Sequence, residues 1–136
     1  FCADGDVRQA INGLQATWTG TGGAEDGGFV SEVAVLRVCD QPHPGRMEAV
    51  LRACGKGDLD AAITAMAPLL ADGYSALDLV VSLFRVAKGL APGVLPSEMA
   101  QLECIREIGV THVRVLEGAP SKLQLYGLLA RLCNPV

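Results

Sequence analysis

From Ser31 onward the chain repeats one arrangement: apolar residues recur in steps of three and four, and glycine usually closes the run. Because an α-helix turns once every 3.6 residues, that spacing gathers the apolar side chains on one helical face. The clearest case is "SALDLVVSLFRVAKGL". Ser75 and Asp78 stand as a capping box there, and Leu79, Val80, Leu83 and Phe84 follow. "SEVAVLRVCD" opens on a serine N-cap. "HPGRMEAVLRACGKGD" aligns Met47, Val50, Leu51 and Cys54 before Gly55 and Gly57. "DLDAAITAMAPLLADGY" aligns Leu59, Ile63, Met66, Leu69 and Leu70 before Gly73, and Pro68 within it predicts a kink or a tightened turn.

"SEMAQLECIREIG" carries Met99, Leu102, Ile105 and Ile108 at helical spacing. The β-branched run "VTHVRV", residues 110–115, does not alternate strictly, so it reads as a continuation of that helix rather than a strand. "SKLQLYGLLARLC" opens with Ser121 and Gln124 as a second capping box. The predicted fold class is all-α, built of short helices packed on one another.

The start of the chain is set apart. Val7, Ala10, Ile11, Leu14 and Trp18 share one helical face, with Asp4 or Asp6 as N-cap and Gln9 three residues after Asp6. "TGTGGAEDGG", residues 19–28, holds five glycines in ten residues and reads as a connection between domains. The expected division is a helix over 1–20, a linker over 21–29 and a helical domain over 30–136. The chain opens on Phe1 and enters helical sequence at once, so a longer parent is expected and the lack of a leader carries no weight.

Arg8 stands in the first helical turn, where a positive charge opposes the partial positive charge of the helix start. Two readings follow. Asp4 lies four residues before it and could pair with it on the surface. Alternatively Arg8, Asn12 and Gln15, which share a face, could meet a phosphate together with free backbone N–H groups at the helix start.

Half of the residues are hydrophobic and only 19% are charged, below the roughly 25% usual in soluble domains. No apolar run reaches the ~18 residues of a membrane span. The surplus apolar surface is therefore expected to face partner subunits, the segments 75–90 and 121–133 being the candidate contact helices. The formal net charge is −4 with no basic cluster, which excludes autonomous nucleic-acid binding as an expectation. Five widely spaced cysteines suit free thiols in a reducing compartment. Cys39 and His43 have a loose C-x-x-x-H spacing, but no second pair completes a tetrahedral zinc site, so no metal is expected. A thiol enzyme using Cys39 and His43, or Cys104 and His112, has no motif behind it. A tetratricopeptide-type scaffold would show a 34-residue repeat, and none is visible. No phosphate loop, nucleophile elbow, H-E-x-x-H or C-x-x-C occurs either.

"ADGDVRQAINGLQAT" resembles the lid-helix segment of replication factor C small subunits, the AAA+ clamp-loader ATPases. The likeness continues in order through "VCDQPHP", "DGYSALDLVVSLFRVAK" and "CIREIGVTHVRVLEGAPSKLQLYGLLARLC". Within the family, the Pro-His-Pro segment, the "EIGVTH" run and "GLLARLC" are most similar to the branch of subunit 2 of the eukaryotic complex. The resemblance implies the end of an AAA+ lid helix followed by a helical-bundle collar domain. It implies that "GDVR" is the sensor-2 motif, with Arg8 contacting the phosphates of ATP held, with Mg, by the longer protein. It implies as partners the other replication factor C subunits through the collar, with the PCNA clamp and primer–template DNA reached through the whole complex in the nucleus. Self-association of the chain is a further expectation. The family's phosphate loop, Mg-binding acids and arginine finger lie upstream and are not in this sequence, so no ATP hydrolysis is expected of it. Its Gly-rich connection is also longer and looser than the family's.

Overall fold

The computed structural model describes residues 2–3, 5–21, 29–39, 41–91 and 93–134. Among them all regular structure is helical: α1 (Val7–Gly20), α2 (Glu32–Val38), α3 (Pro44–Gly55), α4 (Leu59–Ala71), α5 (Ala76–Lys88), α6 (Glu98–Leu116) and α7 (Lys122–Cys133). The run 110–115 belongs to α6, as its lack of strict alternation indicated. These elements form two compact units, Phe1–His43 and Pro44–Val136. Of the expected 21–29 linker, residues 22–28 lie outside the described residues. α2, expected with the helical domain from residue 30, groups with α1.

In the second unit α5 sits against α3, α6 and α7, and α4 packs on α3 and α7. The cause is visible in α5's sequence, where Leu79, Val80, Leu83 and Ala87 are fully buried. Facing helices add Met47, Leu51, Met66, Ile108, Leu125 and Leu128, also at 0% exposure. Such aliphatic chains interdigitate at the density of a crystal, so this cluster is the source of the unit's cohesion.

The caps decide where the helices begin. Ser75 Oγ accepts from Asp78 N while the Asp78 carboxylate accepts from Ser75 N, a complete capping box. Asp58 and Ser97 cap α4 and α6 through Ala61 N and Ala100 N. Two expected boxes are incomplete. Asp6 accepts from Gln9 N, but its own N–H donates to the Ala3 carbonyl instead of Gln9's side chain. Ser121 makes no side-chain cap bond; its carbonyl accepts from Gln124 N.

Stops follow the glycines. Gly57 (φ +73°) and Gly73 (φ +97°) take the left-handed conformation that lets Asp58 N reach the Ala53 carbonyl and Tyr74 N reach that of Leu69. Pro68 lies inside α4, which continues to Ala71. Its missing N–H leaves the Thr64 carbonyl without the usual i+4 donor, and α4 ends three residues later.

In the first unit α1 packs on α2. A Cβ at Gly13 would lie 3.6 Å from Cys39 Sγ, an ordinary van der Waals contact, so alanine would fit there as well. The face expected to be apolar core behaves differently. Val7 is 69% exposed and Trp18 42%, with Ile11 and Leu14 between them also exposed.

Candidate functional site

Arg8 lies in the first turn of α1 with an exposed side chain. Its backbone N–H donates to Asp6 Oδ1 at 2.8 Å, and Gln9 N donates to the same oxygen at 3.4 Å. Two of the helix-start donors expected to be free for a phosphate are therefore occupied by the N-cap, as strong Asp caps generally do. What α1 can offer an anion is the Arg8 guanidinium, whose planar fork of donors matches phosphate oxygens. Asn12 and Gln15 are exposed on the same side. The alternative pairing of Arg8 with Asp4 involves a residue outside the described ones.

The two cysteine–histidine pairs sit in different surroundings. His43 Nε2 is 3.9 Å from Glu32 Oε1, and among the described residues no group of three or more His, Cys, Asp or Glu could hold a metal ion. Cys104 and His112 are eight residues apart on one helix, a rise of about 12 Å, beyond hydrogen-bond reach. Cys54, Cys104 and Cys133 are buried around a cavity of ≈ 170 Å³ that Leu95, Leu132 and Arg131 also line.

Burial pushes the Cys104 thiol up to about 11. Burial also raises Cys54, reinforced by the neighbouring Cys133 sulfur, and raises Cys133. A nucleophilic cysteine needs the opposite shift. At pH 8, Cys54 and Cys104 of the folded chain are expected to alkylate at least roughly tenfold more slowly than a free thiol. Mass-spectrometric labelling checks this, and a rate at or above that of a free thiol would restore the thiol-enzyme reading. The same shifts set a pH dependence. These thiols ionise first in the unfolded chain, so their contribution to stability is intact below pH 9.0 and is lost as the pH rises toward 11.

Among the described residues, all the exposed large hydrophobic residues of the second unit except Leu123 lie on α6. Cys104, Ile108, Thr111 and Val115 face inward. On the opposite side Met99 (64% exposed), Leu102, Val110, Val113 and Leu116 form a stripe along the helix. Met99 and Leu102, expected in line with Ile108, thus point away from the core. The apolar faces of the helices expected to make subunit contacts are largely taken up by the core. No large hydrophobic residue of α5 is exposed among the described ones, and on α7 only Leu123 is. Their leucines and valines make the core, and α6 carries the exposed face.

Near the middle of that stripe is Arg106, which donates to Glu107 Oε1 at 3.1 Å. Glu107 Oε2 accepts from Arg131 Nε at 3.0 Å, and Arg131 Nη2 donates to Thr111 Oγ1 at 2.9 Å. One carboxylate therefore serves two guanidiniums. Among the described residues no helix is long and apolar enough to cross a membrane.

Among the described residues the second unit is a helical bundle whose α6 leaves an apolar face exposed. Residues 42–131 match the family described as the replication factor C C-terminal domain, and the chain belongs to that family. Among its relatives, the replication factor C subunit 4 of Schizosaccharomyces pombe is 42% identical over 97% of this chain and 36% of its own length. Replication factor C subunit 2 of Arabidopsis thaliana is 40% identical over 97% of this chain and 37% of its own length. A replication factor C small subunit of Natronomonas pharaonis is 33% identical, covering 98% and 38% respectively. The chain thus spans little more than a third of these relatives, and names of both the subunit 2 and the subunit 4 type occur among them.

Proposed function

We propose that this chain is the collar end of a clamp-loader small subunit, joined to the last helix of its AAA+ lid. The second unit assembles with the other replication factor C subunits by burying apolar helix surface. In a protein of the relatives' length, the complex so formed would load the PCNA clamp onto primer–template DNA in the nucleus, at the expense of ATP. The observation that carries the reading is the family match over 42–131 on a bundle whose α6 leaves an apolar stripe uncovered.

Arg8 is the one residue here assigned to the nucleotide. Its exposed guanidinium suits phosphate oxygens, and the Asp6 cap holds the first turn of α1 that carries it. ATP and its Mg supply the phosphoryl group and its charge neutralisation; their remaining contacts belong to residues upstream in the family. The exposed Val7, Ile11, Leu14 and Trp18 face would then be covered by the preceding part of the lid. The chain by itself performs no hydrolysis, since positioning Mg and the attacking water takes groups it does not contain. Purified chain incubated with ATP and Mg is expected to release no phosphate above buffer background. Turnover that persists through successive purification steps would overturn the assembly-only role.

A further inference from the structure

We propose that Cys54 and Cys133 form a modification site, where hydrogen peroxide joins them in a reversible disulfide that ties the end of α3 to the end of α7. The site is independent of the collar assembly. Cys54 lies in the last turn of α3, and Cys133 closes α7. Both are buried, at 3% and 6% exposure, and their thiols are hydrogen-bonded to each other. The backbones come close as well. A Cβ on Gly57, in the turn after α3, would lie 3.5 Å from the Cys133 carbonyl oxygen. Bonded sulfurs stand about 2.05 Å apart, and helix ends fray. Two thiols already in contact at such ends therefore reach bonding distance by small side-chain and end-of-helix movements.

The cavity beside the pair supplies the way in. Its ≈ 170 Å³ is lined by both cysteines and Cys104, and its rim includes the exposed Gly57, Pro96 and Asn134. A water molecule takes about 30 Å³ of liquid, so hydrogen peroxide, with one more oxygen, fits. Being uncharged, it also avoids the cost of burying an ion. Glutathione disulfide, charged and larger than the cavity, does not fit.

Burial raises both thiols, which makes the pair slow to ionise. At Cys133 the hydrogen bond from Cys54 works against that rise, although Asp58 adds to it. Cys133 is therefore the sulfur that reacts first. Its thiolate attacks one peroxide oxygen: an S–O bond forms, the O–O bond breaks, and the departing hydroxide leaves as water with the thiol's proton. Cys54 then attacks the sulfenic sulfur of Cys133. The S–S bond forms, the S–O bond breaks, and a second water leaves with the Cys54 proton. Two thiols lose two electrons in all, and one peroxide gains them. Cys104 lines the same cavity from α6 but is not the partner in the Cys54–Cys133 hydrogen bond.

The test treats the purified, fully reduced chain with hydrogen peroxide, blocks the remaining thiols with N-ethylmaleimide in denaturant and maps the products by mass spectrometry. The expected product is an intramolecular cross-link between the peptides that carry Cys54 and Cys133, two hydrogens lighter than the reduced pair and reversed by dithiothreitol. The oxidised chain should unfold at a midpoint higher by roughly 10 °C, because the bond closes the long loop between these residues. Cys133→Ala should abolish both the cross-link and the rise, and Cys104→Ala should keep both. The wild-type map decides by itself if either variant folds poorly. At equal concentration, glutathione disulfide should form the cross-link at least roughly tenfold more slowly than peroxide, since exchange depends on access. An equal rate overturns entry through the cavity. Cys54 and Cys133 still free once the half-buried Cys39 is fully oxidised overturn the proposal, as does their oxidation to sulfinic acid without a cross-link. A cross-link from Cys104 to either one overturns the choice of pair, and disulfides formed only between chains overturn the internal tie.

Discussion

Leu83→Ala is expected to destabilise the Pro44–Val136 unit by about 3 kcal/mol, the middle of the range for a buried leucine truncated to alanine. Leu83 is at 0% exposure on α5, the helix that touches α3, α6 and α7, so the void opens where three interfaces meet. The surrounding helices are tied to one another and can close the void only partly, which keeps the cavity contribution large. For a unit of this size the loss corresponds to a fall in midpoint of roughly 15 °C in thermal unfolding. A loss under about 1 kcal/mol would mean that α5 is not the centre of the core.

Arg8→Ala in the full-length subunit is expected to lower ATP-dependent clamp loading by tenfold or more and leave assembly of the complex unchanged. A hydrogen bond to a charged group contributes about 1.5–3 kcal/mol, and each 1.4 kcal/mol is a factor of ten. The substitution leaves the helix cap intact, because Asp6 holds the backbone N–H of residue 8 and not its side chain. Lysine at this position is expected to restore loading only in part, since an ammonium lacks the planar fork of a guanidinium. Collapse of the complex in the alanine variant, measured by gel filtration beside the loading assay, would show Arg8 to be structural.

The helices from Ser31 to Cys133 were legible because local chemistry and long-range packing agree along them. Ser75, Asp78, Gly57 and Gly73 act within a few residues of their own position, and the periodicity of α3, α4 and α5 coincides with the core face. The expectations that failed concern what covers a face. Periodicity shows that Val7, Ile11, Leu14 and Trp18 share a side of α1, but exposure depends on a neighbour that sequence spacing does not specify. α6 is harder still, because it is apolar on two opposite sides. Ile108 and Met99 look alike in a pattern of threes and fours, and only the position of α5 decides which is buried.

The leucine-rich character of α5 and α7 drew the contact assignment toward them for the same reason. Richness in leucine signals burial, and burial in the chain's own core and burial against a partner are indistinguishable by composition. The Asp6 and Ser121 boxes failed for a smaller cause. A capping box needs both reciprocal bonds, and at Asp6 the Ala3 carbonyl takes the N–H that Gln9's side chain would have accepted. At Arg8 the sequence correctly suggested an exposed cation at a helix start. It could not show that the backbone donors beside it were already occupied.

The central claim is that this chain is an assembly module, and sedimentation velocity tests it most directly. The purified chain, alone and mixed with sibling small subunits, is run across a wide concentration range. The account predicts a faster-sedimenting species that contains the chain once siblings are present. A chain that sediments only as a monomer, with and without siblings and up to the highest concentration reached, would contradict it.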